Sequence, residues 1–119
     1  MICFDTNIII HLANRTLNES IIKDEPIVYP SIVKIESLGY SDIRSIEEQR
    51  IRDLFSTITE APLTSAIVER AIVLRQDKRM SLGDAIVAAT AIENDCELWT
   101  ANTDDFKHIE NLKIINPLG

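Results

Sequence analysis

The stretch that most constrains this chain is its first twelve residues, Met1-Ile2-Cys3-Phe4-Asp5-Thr6-Asn7-Ile8-Ile9-Ile10-His11-Leu12. Met1 to Phe4 is an unbroken apolar run with no polar residue alternating to face water, the pattern of a short strand buried on both faces of a parallel sheet. Asp5-Thr6-Asn7 then supplies cap-forming side chains ahead of a second apolar run. The simplest reading is strand, tight turn, helix, with Asp5 at the carboxyl end of the strand. In open α/β sheets that edge is where ligands bind. Asp5 also has a plainer use, as the cap of a helix starting at Thr6 or Asn7. Only further acids on the same edge would separate the two.

At 119 residues the chain has the size of one domain, read as 1–119, which buries about 65% of the surface its unfolded form exposes. With 3 Gly and 4 Pro there is no sign of a linker or a low-complexity segment. No signal-peptide pattern opens the sequence and its apolar runs are too short to span a bilayer. A soluble, cytoplasmic protein without a membrane partner is expected. Cys3 and Cys96 lack Cys-x-x-Cys spacing, so they read as two free thiols. The net charge of −7 argues against holding nucleic acid by bulk electrostatics. It is compatible with a metal-dependent nuclease, because acids gathered for a divalent cation are partly neutralised when the ion binds. It also allows a basic protein partner.

Along the chain, Thr16-Leu17-Asn18-Glu19 has capping-box spacing and predicts a short helix through Ile21 and Ile22, ending before Pro26. Ile27-Val28-Tyr29 reads as a strand stopped by Pro30, and Ser31 as the cap of a helix over Ile32–Leu38. Ser45-Ile46-Glu47-Glu48 is a second capping box, opening a helix whose Ile51, Leu54, Phe55 and Ile58 recur at helical spacing. Ala61-Pro62-Leu63 breaks it. Thr64 or Ser65 caps the next helix, with Ile67, Ala71 and Leu74 in one stripe beside Val68 and Ile72. Arg70, Arg75, Lys78 and Arg79 gather toward its end. They read as a solvated face that complements the helix dipole, with phosphate binding as the alternative.

Ser81-Leu82-Gly83-Asp84 is a further cap pattern, leading into the Ala-rich run from Ala85 to Ile92. There the Asp84 carboxylate would reach back to the Ser81 amide. Cys96 to Thr100 reads as a strand, Ala101 to Phe106 as a loop and helical turn, and Leu112 to Ile115 as a last strand ended by Pro117. The βα alternation indicates a three-layer α/β/α fold on a mainly parallel sheet.

Asp5, Asn102, Asp104 and Asp105 follow predicted strands, Glu36 lies in the helix after another strand, and Asp84 starts a helix returning to the sheet. By itself Glu36 reads as a surface acid helped by its helix dipole. Right-handed crossovers with short connections would nevertheless bring all of these to one rim. Several carboxylates at close range raise one another's pKa unless a cation compensates them, and oxygen-only ligands suit Mg²⁺ or Mn²⁺.

With that set on the page, the sequence resembles the PIN domain family, and most of all the VapC-type ribonuclease toxins of toxin–antitoxin pairs. The matching pieces are Phe4-Asp5-Thr6-Asn7, Val33-Lys34-Ile35-Glu36, Gly83 to Ala91, Thr100 to Phe106, and Ile115-Asn116-Pro117, in family order. The resemblance implies metal binding and catalysis by Asp5, Glu36 and Asp84, with a further ligand in the loop that follows Thr100. Asp105 is the first choice there; Asn102, Asp104 and Thr6 are additional candidates. Gly83 stands where the family often has Pro, with a change in loop stiffness as the expected effect. The implied reaction is hydrolysis of an RNA phosphodiester by a metal-activated water, leaving a 5′-phosphate. The implied partners are RNA, a cognate antitoxin protein and a second copy of the chain. His11 and His108 read as bystanders, His108 as an exposed one. Two other classes compete: a non-catalytic scaffold of the same fold, and a phosphatase with Asp5 as nucleophile. Asn7 counts against the latter, since such enzymes usually carry a second acid there.

Overall fold

The computed structural model describes every residue except Lys23, and Ile21 without its side chain. Strands β1 (Ile2–Phe4), β2 (Ile27–Pro30), β3 (Thr59–Ala61), β4 (Glu97–Trp99) and β5 (Ile114–Ile115) form one sheet in the order β3-β2-β1-β4-β5. Every neighbouring pair is parallel. The helices are α1 (Thr6–Ala13), α2 (Ser31–Leu38), α3 (Ser45–Phe55), α4 (Ser65–Asp77) and α5 (Leu82–Glu93), with 3₁₀ turns at Glu19–Ile21 and Thr103–Asp105. The α/β/α expectation is borne out.

The sheet is organised around β1, whose three residues are all fully buried. The chain runs outward from β1 to β2 and β3, then returns through α4 and α5 to β4 on the other side of β1. The order therefore reverses at β1, and the crevice at such a switch point, beyond the carboxyl ends of the strands, is where open α/β sheets hold ligands. Register aligns these ends: Phe4 pairs with Trp99, and the Asp5 amide donates to the Trp99 carbonyl at 3.0 Å. α5 lies close across β1, β2 and β4 through small residues, Ala88 and Ala91 of the main core, while Ala85 and Ala89 pack against Ile67 and Ala71 of α4; all four alanines have no exposed surface. Phe4, Leu98 and Phe106 are fully buried in the core. Burial of each is worth about 1.5–3 kcal/mol relative to exposure. Among the described residues no helix is long and apolar enough to cross a membrane.

The structure differs from the sequence reading in several local places. β3 was not expected, and Ala61 is its last residue rather than part of a break. Only Ala61 of its three residues is buried, so a polar edge strand this short carries no alternation to read. Thr16 does not cap; its hydroxyl meets His11 Nδ1 at 2.7 Å, while Asn18 accepts the Ser20 amide at 2.9 Å. Ser31 sits inside α2 and donates to Glu60, leaving Pro30 in the cap position. The Ser45 box does not form either: α3 is entered from Arg44, whose Nε donates to Glu47 at 2.7 Å, while Glu48 takes Arg52 at 2.8 Å. Charged partners outcompete a neutral amide for these carboxylates. Thr64 and Ser81 do cap, accepting the amides of Ile67 and Asp84. Val68 and Ile72 are exposed rather than packed.

Candidate active site

Asp5 stands at the end of β1 and is only 6% exposed. It is both the cap of α1 and the centre of a hydrogen-bond set. Oδ1 accepts the Thr6 amide at 2.8 Å; Oδ2 accepts the Thr100 hydroxyl at 2.8 Å and Asn7 Nδ2 at 3.2 Å. Burial pushes its carboxyl above the usual range, these hydrogen bonds oppose that, and the nearby charge of Glu36 adds to it.

Glu36 projects from the second turn of α2 and is exposed. It is not a free surface acid, because Oε1 accepts the Thr6 hydroxyl at 2.8 Å and the carboxylate lies against the first turn of α5. A β-carbon at Gly83 would stand 3.0 Å from Glu36 Oε2. Gly83 therefore acts through space for Glu36 rather than through loop stiffness, since it already lies in helix α5.

Asp84, half-buried in the first turn of α5, receives the Ser81 cap at its amide. Among the described residues its carboxylate makes no hydrogen bond back to the Ser81 amide, so the reciprocal half of the box is missing. Burial raises its carboxyl first; the Ser81 hydroxyl opposes the rise, and the charges of Asp5 and Asp105 add to it. Asp105 is exposed at the end of the 3₁₀ turn after β4. Asp104, its neighbour, points to solvent and pairs with Lys107 at 3.2 Å.

Asp5 thus feels Glu36, and Asp84 feels both Asp5 and Asp105. Among the described residues no Lys or Arg is ion-paired with any of these four. Nor does any group of three or more His, Cys, Asp or Glu side chains stand close enough to hold an ion as placed. The donors are carboxylate oxygens, suited to a hard divalent cation.

Two residues that the sequence reading places only in caps, strand ends and matching motifs turn out to orient Asp5. Thr100, fully buried, donates to Asp5 and accepts the Asn102 amide at 3.0 Å. Asn7 bridges the same strands, donating to Asp5 and accepting the Ala101 amide at 2.8 Å through Oδ1. The signal for Thr100 was a hydroxyl immediately after an apolar strand; which carboxylate it would meet depended on strand order. Asn102 is exposed and enters the site through its backbone. His108 departs from its reading: both ring nitrogens are buried and lack a hydrogen-bond partner among the described residues. It is packed beside the acids, in the wall of a cavity of about 230 Å³ that Asp84, Asp104 and Asp105 also line.

A model of the PIN domain matches residues 2–112. Ribonuclease VapC10 of Mycobacterium tuberculosis is 32% identical over 123 aligned positions, covering 95% of this chain and 91% of that protein. Among solved structures, a toxin–antitoxin complex from Klebsiella pneumoniae aligns with a TM-score of 0.79 and 31% identity over 98% of each chain. VapBC2 from Rickettsia felis, bound to a DNA fragment from its promoter, reaches a TM-score of 0.84 at 23% identity over 98% of each chain, a likeness of fold.

Proposed function

The chain belongs to the PIN domain family, and from that premise we propose that it is a divalent-metal-dependent ribonuclease, the toxin of a toxin–antitoxin pair. Asp5, Glu36, Asp84 and Asp105 would hold the ion, Mg²⁺ or Mn²⁺. The observation that carries this reading is the uncompensated charge at the β1/β4 switch point. Two of the carboxyls there, Asp5 and Asp84, are raised by burial and by neighbouring acids. A fold that gathers acids without ion-pairing them leaves the compensating charge to a ligand.

When bound, such an ion lowers the pKa of an attacking water and shields the phosphoryl oxygens. The chain's own residues supply the orientation. Thr100 and Asn7 lock Asp5 in one rotamer, Thr6 holds Glu36, and the Ser81 cap sets the first turn of α5 that carries Asp84. Fixing ligands in this way is what second partners do for metal affinity. Asn7 serves Asp5 as a hydrogen-bond donor, which gives no support to an aspartyl-phosphate reaction.

Purified protein should cut RNA only with Mg²⁺ or Mn²⁺ present, and Asp5→Asn and Asp84→Asn should abolish cutting; full activity in both variants would refute the assignment. The reading extends to a protein antitoxin and to a homodimer. Copurification of a small protein encoded beside this chain checks the first. A monomeric mass by light scattering would exclude the second.

A further inference from the structure

We infer that Lys78 and Arg79 form a phosphate subsite beside the acidic centre, holding the RNA phosphate one nucleotide away from the one that is cut. This inference rests on the ribonuclease reading above and names how that site takes its substrate.

The two cations occupy the turn between α4 and α5 and line the same cavity of about 230 Å³ as Asp84 and Asp105. Both are exposed, and neither is ion-paired among the described residues. Five other cations are ion-paired elsewhere, Arg44 to Glu47, Arg52 to Glu48, Arg70 to Glu93, Lys107 to Asp104 and Lys113 to Glu97; Arg15, Lys34, Arg50 and Arg75 make no ion pair among the described residues either, but none of them lines this cavity. Lys78 and Arg79 face acids across open space without closing on them.

The turn that carries them is pinned. Met80 buries its side chain in the core, its carbonyl accepts Arg75 Nε at 3.2 Å, and Ser81 caps α5. The positive edge is therefore held at a fixed place relative to Asp84, which a binding subsite needs and a merely solvated face does not. A strand of RNA with one phosphate at the acids must carry the next phosphate along the cavity wall. On this side that wall is Lys78 and Arg79. In a chain of net charge −7 the local cations supply the attraction that the molecule as a whole lacks.

The test uses the full-length protein and a fluorescein-labelled single-stranded RNA, titrated without divalent ion at several salt concentrations. The double variant Lys78→Ala/Arg79→Ala should lower the slope of log affinity against log salt by about 1.4, since each lost phosphate contact removes about 0.7 on a single strand. In Mg²⁺-supported cleavage its KM should rise roughly tenfold with kcat kept, the scale of two exposed ion pairs whose binding is uniform. Lys78→Arg/Arg79→Lys should restore both values. Lys113→Ala, at the opposite end of the sheet, should change neither. Wild-type protein that binds this RNA but cuts none in Mg²⁺ would sink the ribonuclease reading, and a salt slope still lowered in the double variant would then keep Lys78 and Arg79 as an RNA-phosphate contact without a cleavage register. An unchanged salt slope and KM in the double variant would overturn the subsite alone, including the case where the variant instead loses a protein partner. Wild-type protein that binds no RNA would overturn both.

Discussion

The two ends of one parallel sheet treat carboxylates in opposite ways. At the amino end, Glu97 opens β4 with its charge answered: Trp99 Nε1 donates to it at 3.0 Å and Lys113 Nζ stands 3.4 Å away. Those contacts, the Trp99 hydrogen bond first, hold its carboxyl below the ordinary range. At the carboxyl end, Asp5 and Asp84 are pushed up by burial first, Asp5 further by the charge of Glu36 and Asp84 by those of Asp5 and Asp105. The amino end stabilises the fold by pairing its acid. The carboxyl end accepts a penalty in the ion-free protein, and such penalties collect where a ligand or a reaction needs them.

The strongest way to break this contrast is to remove the charge. Asp5→Asn and Asp84→Asn should each lower Mg²⁺-supported RNA cleavage by at least about 10²–10³-fold, the scale of losing one preorganised electrostatic group. Rates on a labelled RNA measure this, and a loss under about tenfold would place the chemistry elsewhere. Thr100→Val keeps the shape of a buried residue while removing the hydroxyl that orients Asp5. It should weaken Mg²⁺ affinity, read by calorimetry, by about 10–100-fold, as losing an orienting partner does. An unchanged affinity would leave Thr100 with a packing role only.

Stability sharpens the comparison because the two ends should answer pH with opposite signs. For Asp5 and Asp84 the folded carboxyl is raised, so the metal-free fold binds the extra proton and loses stability as pH climbs from the unfolded value through the folded one. For Glu97 the folded carboxyl is depressed, so its contribution is present above the unfolded value and lost as pH falls through the folded one. At pH 7 without divalent ion, Asp84→Asn should therefore melt higher than the parent, and Glu97→Gln lower, by up to about 1 kcal/mol for an ion pair at the surface. Thermal melts between pH 3 and pH 8, a window of about the ordinary carboxylate range and above, check both signs; a shift of the same sign in the two variants would erase the contrast. The smallest effect belongs to Asp104. Its exposed pairing with Lys107 is worth little, so Asp104→Asn should change cleavage less than about twofold, while Asp105→Asn costs activity. Equal losses in the two would reassign the fourth ligand.

Local pattern made much of this molecule readable beforehand. β1, α1, α5 and β4 follow from apolar runs punctuated by Asp5, Ser81 and Thr100, and those elements carry most of the site. The unread parts share a physical cause. β3 is two exposed residues and one buried one, so its pairing with β2 comes from tertiary register rather than from any periodicity of its own. Ser31, Ser45 and Thr16 had cap chemistry, but Glu60 drew Ser31 away from the cap, Arg44 stands in the cap position ahead of Ser45, and His11 engages the hydroxyl of Thr16. The Ser31 partner lies 29 positions away, beyond the reach of local propensity, whereas at Ser45 and Thr16 near neighbours offer charged or side-chain partners that compete with the amide.

By itself, the order of residues determined that a buried strand ends in an acid, that helices and strands alternate, and that acids recur at strand and helix ends. Which of those acids meet was settled only by folding. The reversal of strand order at β1 sets Asp5 beside Thr100, ninety-five positions along, and Gly83 leaves room for the Glu36 carboxylate against α5. Separation along the chain carries no information about distance until the sheet fixes its register, and electrostatic coupling between carboxylates depends on distance and burial alone.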